Sequence, residues 1–305
     1  MSYRNDLIEH KSLMEGQKTR VANEIISILQ SILPSIKGLA ATATSSNIEK
    51  VVSDIKKIID ENFDKLTPEL QTQMLELGYY EAEIQEALLE NALSKSSELS
   101  ISGVGKETLK TAILSTPIQG LLFQDGLENA SNDVKRQVET AVRIGVLNGE
   151  TAEQVKRRVT ANYNIAEKRM VSYIRTAIQN AVNVSTLETY KKNGIKKYKY
   201  VAILDSRTTK QCQSLNGKIF VIGEGPFPPV HYNCRSFTIP IIEGVELGDE
   251  IDENYAGWLE SSGKKGLTAN QKGDFVESSK NITSLNTLRK KEEHILVGDK
   301  WWQIG

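Results

Sequence analysis

The spacing of apolar residues in this chain changes once, at Asn193-Gly194, and that change limits the folds open to it. Before this point the spacing is helical. Val21, Ile25, Ile28, Leu29 and Ile32 share a face, with Pro34 after them. Ser46-Asn47-Ile48-Glu49 has the form of a capping box ahead of Val51, Val52, Ile55, Ile58 and Ile59. Thr67-Pro68 predicts a further helix start, leading into Leu70, Met74, Leu77, Ile84, Leu88 and Leu89, with Gly78 marking a kink. Asn132 is expected to cap a helix carrying Val134, Val138, Ala141, Val142 and Val146, which Asn148-Gly149 ends. A second capping box, Thr151 to Gln154, precedes a long helix expected from about Ile165 to Lys192, closed by Asn193-Gly194. Its apolar face is Met170, Ile174, Ala177, Ile178, Ala181, Val182 and Leu187.

Beyond Gly194 the chain is enriched in aromatic and β-branched residues. Tyr198–Leu204, Lys218–Ile222 and Phe237–Ile242 read as three strands, with Pro240 pushing the third to an edge or a bulge. Asp205 to Leu215 is expected to form a short turn or helix capped by Asp205 or Ser206, and Asn216-Gly217 a turn. The expected class is α+β: a predominantly helical N-terminal half, then a helical plus small β-sheet C-terminal domain.

A chain of 305 residues allows one large or two moderate domains. The Ser- and Gly-rich stretch at 95–107 is the best candidate boundary. It divides the chain into a helical region at 1–100, an α+β region at 101–242 and a polar extension at 243–305. The extension has few apolar anchors (Trp258, Leu259, Phe275, Trp301, Trp302) and is expected to be poorly packed or ordered by a partner. No apolar run approaches the roughly 18 residues that span a bilayer, and the charged N-terminus has no signal core. No membrane association is expected, and synthesis and folding are expected in a cytoplasm.

The net charge of -1 conceals a polarity along the chain. Residues 161–242 carry 12 basic and 4 acidic side chains, whereas residues 1–100 carry 10 and 16. Such a local basic block suits a polyanion or an acidic protein surface, against the plainer reading of a solvated lysine face.

Both cysteines, Cys212 and Cys234, and one of the three histidines, His231, fall inside that block. Three readings follow. As zinc ligands, Cys212 and the His231-x-x-Cys234 pair supply three donors, with Asp205 as a candidate fourth. As a metal-free structural knot, the cysteines are small core residues, an Arg235–Asp205 pair locks the loop, and Pro226, Pro228 and Pro229 stiffen it. As a catalytic pair, Cys and His make an activated thiolate. The structural reading is the working expectation, with no cofactor. The sequence has no H-x-E with C-x-x-C, no disulfide-exchange motif, no P-loop, no dinucleotide fingerprint and no G-x-S-x-G elbow. No enzyme activity is expected.

At these residues the sequence resembles a known family. The run Asp205-Ser206-Arg207-Thr208, then Cys212, Leu215-Asn216-Gly217-Lys218, Pro228-Pro229, His231 and Asn233-Cys234-Arg235-Ser236 resembles the signature of the phage Mu F-like minor head, or head-morphogenesis, proteins of tailed bacteriophages. Arg175-Thr176 on the preceding helix and the aromatic strand before Asp205 fit too, so the resemblance covers roughly residues 130–242. There are two departures. Thr209 stands where many relatives have the first cysteine of a C-x-x-C, and Ala177 where they often carry Glu.

The resemblance implies a virion protein of the phage head, in the host cytoplasm during assembly, that associates with the portal protein and acts in DNA packaging or ejection. Residues 1–100 would dock the portal or shell, with major capsid or scaffolding protein as further partners. Non-specific double-stranded DNA would meet Lys191, Lys192, Lys196, Lys197, Lys199, Arg207, Lys210 and Arg235. Tyr198 and Tyr200 are candidates for stacking on single strands, against burial in the sheet. Two rivals are an injected ADP-ribosyl- or nucleotidyl-transferring enzyme, built on Arg207, Glu224 or His231, and a scaffolding or head-completion factor without DNA contact.

Overall fold

The structure, a computed structural model, describes residues 3–93, 100–245 and 247, together with the backbone of 294–297 and 300–303. The elements run α1 (Tyr3–Ala40), α2 (Ile48–Leu93), α3 (Lys106–Ser115), α4 (Phe123–Leu147), α5 (Ala152–Lys192), β1 (Lys197–Val201), α6 (Lys210–Leu215), β2 (Ile219–Val221), β3 (Phe237–Ile241), β4 (His294–Val297) and β5 (Lys300–Gln303). The class is α+β, with helix dominating up to Lys192. Strands β2, β1 and β3 form an antiparallel sheet in that order, and β4 and β5 form a separate antiparallel pair. Among the described residues no helix is long and apolar enough to cross a membrane.

Packing divides the chain into two compact units. One takes residues 1–19, 72–119 and 176–305, the other 20–71 and 120–175. This grouping does not follow a linear division at 1–100, 101–242 and 243–305. The long helices contribute different segments to different units, so nearness in sequence does not decide which unit a residue joins. The described part of the 95–107 stretch lies inside the first unit, and residues 94–99 lie outside the described residues. Most of the 243–305 extension, including Trp258, Leu259 and Phe275, also lies outside them; Trp301 and Trp302 belong to β5.

Several helix boundaries differ from the sequence reading. Pro34 does not end α1, which continues to Ala40 with Ile36 and Ala40 buried. Pro68 lies inside α2, flanked by buried Leu66 and Leu70, and does not start a helix. A proline inside a helix costs about 3 kcal/mol, and burial of the continuous apolar stripe offsets it. Asn132 is internal to α4, which begins at Phe123. The Ser46–Glu49 box does not close. Asn47 accepts from the Val51 N–H through its carbonyl, and Glu49 is drawn to Arg143 at 2.6 Å. The Thr151–Gln154 box does close, with the Thr151 N–H donating to Gln154 Oε1 at 2.8 Å, and it starts α5 at Ala152. Gly149 and Gly194, at φ of 63° and 70°, stop α4 and α5 as expected. Gly78 makes no break in α2. A Cβ there would meet Ile113 Cδ1 at 2.6 Å and Ser185 Oγ at 3.0 Å, so close approach requires the glycine.

In the 20–71/120–175 unit the apolar faces of four helical segments meet. Ile25, Ile59, Val138, Val142, Val159 and Ile174 are among the residues fully shielded there. Tyr163 donates its hydroxyl to the Leu29 carbonyl at 2.7 Å. Gly126 lets the ring of Tyr173 lie against α4, with the Tyr173 hydroxyl donating to the Phe123 carbonyl at 3.1 Å. Gly126→Ala should therefore cost about 1–3 kcal/mol, because a methyl group would overlap the ring. Urea unfolding read by tyrosine fluorescence would measure the loss.

The other unit has an apolar core in which Leu7, Leu88, Leu89, Tyr190, Tyr198, Phe237 and Ile239 pack together. Beside it lies a buried charged cluster. Glu81 of α2 accepts from Lys11 at 2.5 Å, Gln85 at 2.8 Å and Thr186 at 2.8 Å, and pairs with His10 Nε2 at 2.7 Å. Burial pushes the Glu81 carboxyl up, but the charges and hydrogen bonds of Lys11 and His10 win and hold it well below the usual range. A depressed carboxylate stabilises the fold above its unfolded pKa, near the ordinary 4.5, and loses that contribution as pH falls below it. Glu81→Gln should cost about 3–5 kcal/mol at neutral pH by leaving Lys11 uncompensated. Thermal melts against pH should show the difference from wild type narrowing through the acid range.

Candidate functional site: the Cys/His loop and its basic surroundings

The sheet of this unit is built by alternation along β1. Lys197 and Lys199 point one way, and Tyr198 and Tyr200, both buried, point the other. Tyr198 packs on Phe220 and Phe227 and donates its hydroxyl to the Pro226 carbonyl at 2.9 Å. Tyr200 joins Ala202, Cys212 and Cys234 in a second small core bordered by Leu204, Leu215, Phe220 and Val230. Neither ring is exposed, so the stacking role is withdrawn: alternation turns both tyrosines inward.

The loop after β1 is organised by hydrogen bonds to its own backbone. Asp205 Oδ1 accepts from the Arg207 N–H at 2.8 Å, and Thr208 Oγ1 accepts from the Asp205 N–H at 2.8 Å. Thr209, rather than Asp205 or Ser206, caps α6, its hydroxyl accepting from the Cys212 N–H. Asn216-Gly217 turns the chain as expected, Gly217 having φ of 76°. There Asn216 Oδ1 accepts from the Ala202 N–H at 2.9 Å. Pro240 lies on β3, an edge strand. Arg235 holds Asp205 through two nitrogens, at 2.8 and 2.5 Å. These bonds keep the Asp205 carboxyl well below the usual aspartate range.

Within this frame three donor atoms converge. Cys212 Sγ lies 3.0 Å from His231 Nε2 and 3.7 Å from Cys234 Sγ, and all three ligand atoms lie within 4.8 Å of one another. Asp205, the candidate fourth donor, is not among them; Arg235 takes both its oxygens. His231 Nδ1 lies 2.8 Å from the Tyr232 carbonyl, which accepts a hydrogen bond from it, and Nε2 faces the Cys212 sulfur. Ser236 Oγ donates to Cys212 Sγ at 3.3 Å, and the Tyr200 hydroxyl lies 3.4 Å from the same sulfur. The hydrogen bond to Cys234 is the largest effect on the Cys212 thiol, and with the Ser236 and Tyr200 hydroxyls it lowers the pKa to about 5. Cys234, hydrogen-bonded to that sulfur and buried, is raised well above the ordinary thiol value. Both cysteines are free and buried.

The expected basic residues fall into two sets. Lys192, Lys196, Lys197, Arg207 and Lys210 are exposed, and Lys199 is half-buried beside Lys197 on β1. Lys191 is exposed and paired with Glu188 at 2.7 Å. Arg235 is turned away from a surface role, its side chain 16 % exposed and its guanidinium committed to Asp205.

Four residues of α5 hold the loop and β3, and three of them, Gln179, Asn183 and Tyr190, were not singled out in the sequence. Thr176 Oγ1 accepts from the Asn233 N–H at 2.9 Å, which suits an asparagine in the left-handed conformation at φ of 57°. Gln179 and Asn183 both donate to the Ser236 carbonyl at 3.4 Å, and the Tyr190 hydroxyl donates to the Thr238 carbonyl at 3.1 Å. The signal was present as polar residues three, four and seven apart on an otherwise apolar helix. Asp205→Asn should cost about 2 kcal/mol near neutral pH, since it removes a charge-assisted pair. The deficit should shrink as pH falls, because the wild-type carboxylate stabilises only while ionised. Melting temperatures of the two proteins across the acid range check this.

A search of curated proteins returned no match, and a search of solved structures returned none. A family model described as Phage Mu protein F like protein matches residues 136–239. That span takes in the second half of α4, all of α5, β1, α6, β2 and the Cys/His loop, and ends inside β3. Over residues 136–239, about a third of the chain, the sequence is similar to the phage Mu protein F like family.

Proposed function

We propose that this protein is a minor protein of a phage head that associates with the portal during procapsid assembly and contacts the packaged double-stranded DNA. The family match over residues 136–239 supports head morphogenesis and a place in the virion. The observation that supports DNA contact is the exposed cationic surface of Lys192, Lys196, Lys197, Arg207 and Lys210, with Lys199 beside them. Nothing about these side chains is arranged for base recognition. Exposed lysine ammonium groups and the guanidinium of Arg207, which also lies 3.3 Å from Asp205, suit phosphates, so binding is sequence-independent and falls steeply with salt. Arg235 belongs to the loop's own structure and is left out of this surface. The helical region at 1–100 is the docking element for the portal in this reading.

Retention of the purified protein on duplex DNA across a salt series tests the nucleic-acid half. Lys196, Lys197 and Lys199 together changed to Gln should reduce the slope of log affinity against log salt by about three, about one per phosphate contact. Binding that is absent at low salt, or unchanged in the triple variant, would instead favour a head-completion factor without DNA contact. Portal association is tested separately by co-sedimentation with portal oligomers. The triple variant should co-sediment as wild type does.

A further inference from the structure

We propose that Cys212, His231 and Cys234 bind one zinc ion, with a fourth coordination position left open to solvent. This stands apart from the head-protein reading and requires neither portal nor DNA. Tetrahedral zinc with Zn–S bonds of about 2.3 Å sets its two sulfurs about 3.8 Å apart. The sulfurs here are 3.7 Å apart, far longer than the roughly 2.05 Å of a disulfide. The third donor, His231 Nε2, faces the sulfurs, while Nδ1 on the other side of the ring donates to the Tyr232 carbonyl. An orienting bond of this kind is typical of a metal-ligating histidine.

The plainer alternative is a pair of buried thiols with a histidine beside them. It leaves the surroundings of Cys212 Sγ unexplained. That sulfur meets the Ser236 hydroxyl, the Tyr200 hydroxyl and an imidazole nitrogen. A neutral thiol is a weak acceptor, whereas a thiolate held by a cation is stabilised by a donor such as the Ser236 hydroxyl and by the polar Tyr200 hydroxyl beside it. Charge also balances. Two thiolates and one zinc(II) ion make a neutral centre, which a buried pocket tolerates far better than a lone thiolate. On binding, each cysteine loses its thiol proton to solvent as its Zn–S bond forms.

Among the described residues no fourth His, Cys, Asp or Glu reaches the group. The residue one turn before Cys212 is Thr209, whose hydroxyl caps α6. His231 is only partly buried, so the vacant side is accessible to water. The consequence is a site of moderate affinity, and Thr209 is the position from which a fourth ligand would complete it, because C-x-x-C spacing suits zinc.

The experiment uses the full untagged chain, purified under reducing conditions. Elemental analysis should find about one zinc ion per chain. After chelation, cobalt(II) should give thiolate charge-transfer and tetrahedral ligand-field bands. Cys212→Ser, Cys234→Ser and His231→Asn should each lower cobalt affinity by more than the roughly 10–100-fold typical of losing an outer partner. Thr209→Cys keeps all three ligands and should tighten binding by roughly tenfold or more. Reduced wild-type protein that is folded by circular dichroism yet gives no cobalt bands would overturn the proposal. So would full cobalt affinity in a folded Cys212→Ser variant. No tightening in Thr209→Cys would overturn the open fourth position.

Discussion

The signature half of this protein depends on one helix face. Helix α5 carries Thr176, Gln179, Asn183 and Tyr190 in its buried turns, and each satisfies a backbone group of the loop or of β3. β3 is an edge strand, and its carbonyl at Thr238 and that of Ser236 just before it find partners in side chains. Thr238 and Pro240 are two residues apart and present their backbone to the same edge, where the missing proline N–H breaks no ladder. The helix therefore does what another strand would do elsewhere: it closes an edge that would otherwise be open to unwanted pairing. The Cys/His loop inherits its position from this arrangement, because Asn233 and Ser236, flanking Cys234, are the residues held.

Much of the local structure was legible in the sequence because it is set by local chemistry. The stops at Gly149 and Gly194, the Thr151–Gln154 box, the three strands and the Asn216-Gly217 turn each follow from short patterns. The failures share a cause. Pro34, Pro68 and Asn132 are local boundary signals, and in each case a longer apolar stripe overrides them. Propensity at one residue is worth a few kcal/mol at most, and burial of a continuous face is worth more.

The candidate site was half visible. The concentration of Cys212, His231 and Cys234 could be seen, and so could the Asp205–Arg235 pair. Their geometry could not, since the loop from Gly223 to Val230 separates the donors in sequence and only the fold closes it. Two assignments changed when the fold was known. Asp205 left the ligand set and Arg235 left the cationic surface, for the same reason: each is the other's partner. Tyr198 and Tyr200 turned inward because they share a parity on β1 opposite to Lys197 and Lys199. Polar residues on α5 went unremarked because a buried Gln or Asn looks the same in sequence as a solvated one.

The charged cluster around Glu81 has a further consequence. Apolar helices packed side by side can slide by a turn at modest cost, since one leucine fits much like another. A slide of the α1 segment along α2 would part Lys11 and His10 from Glu81 and leave charges buried without partners, which costs several kcal/mol. A well-packed apolar replacement would match or exceed the cluster in stability, but it would accept neighbouring alignments. The cluster thus acts as a register pin, fixing which turn of the first helix faces which turn of the second, much as a single buried asparagine does in a coiled coil.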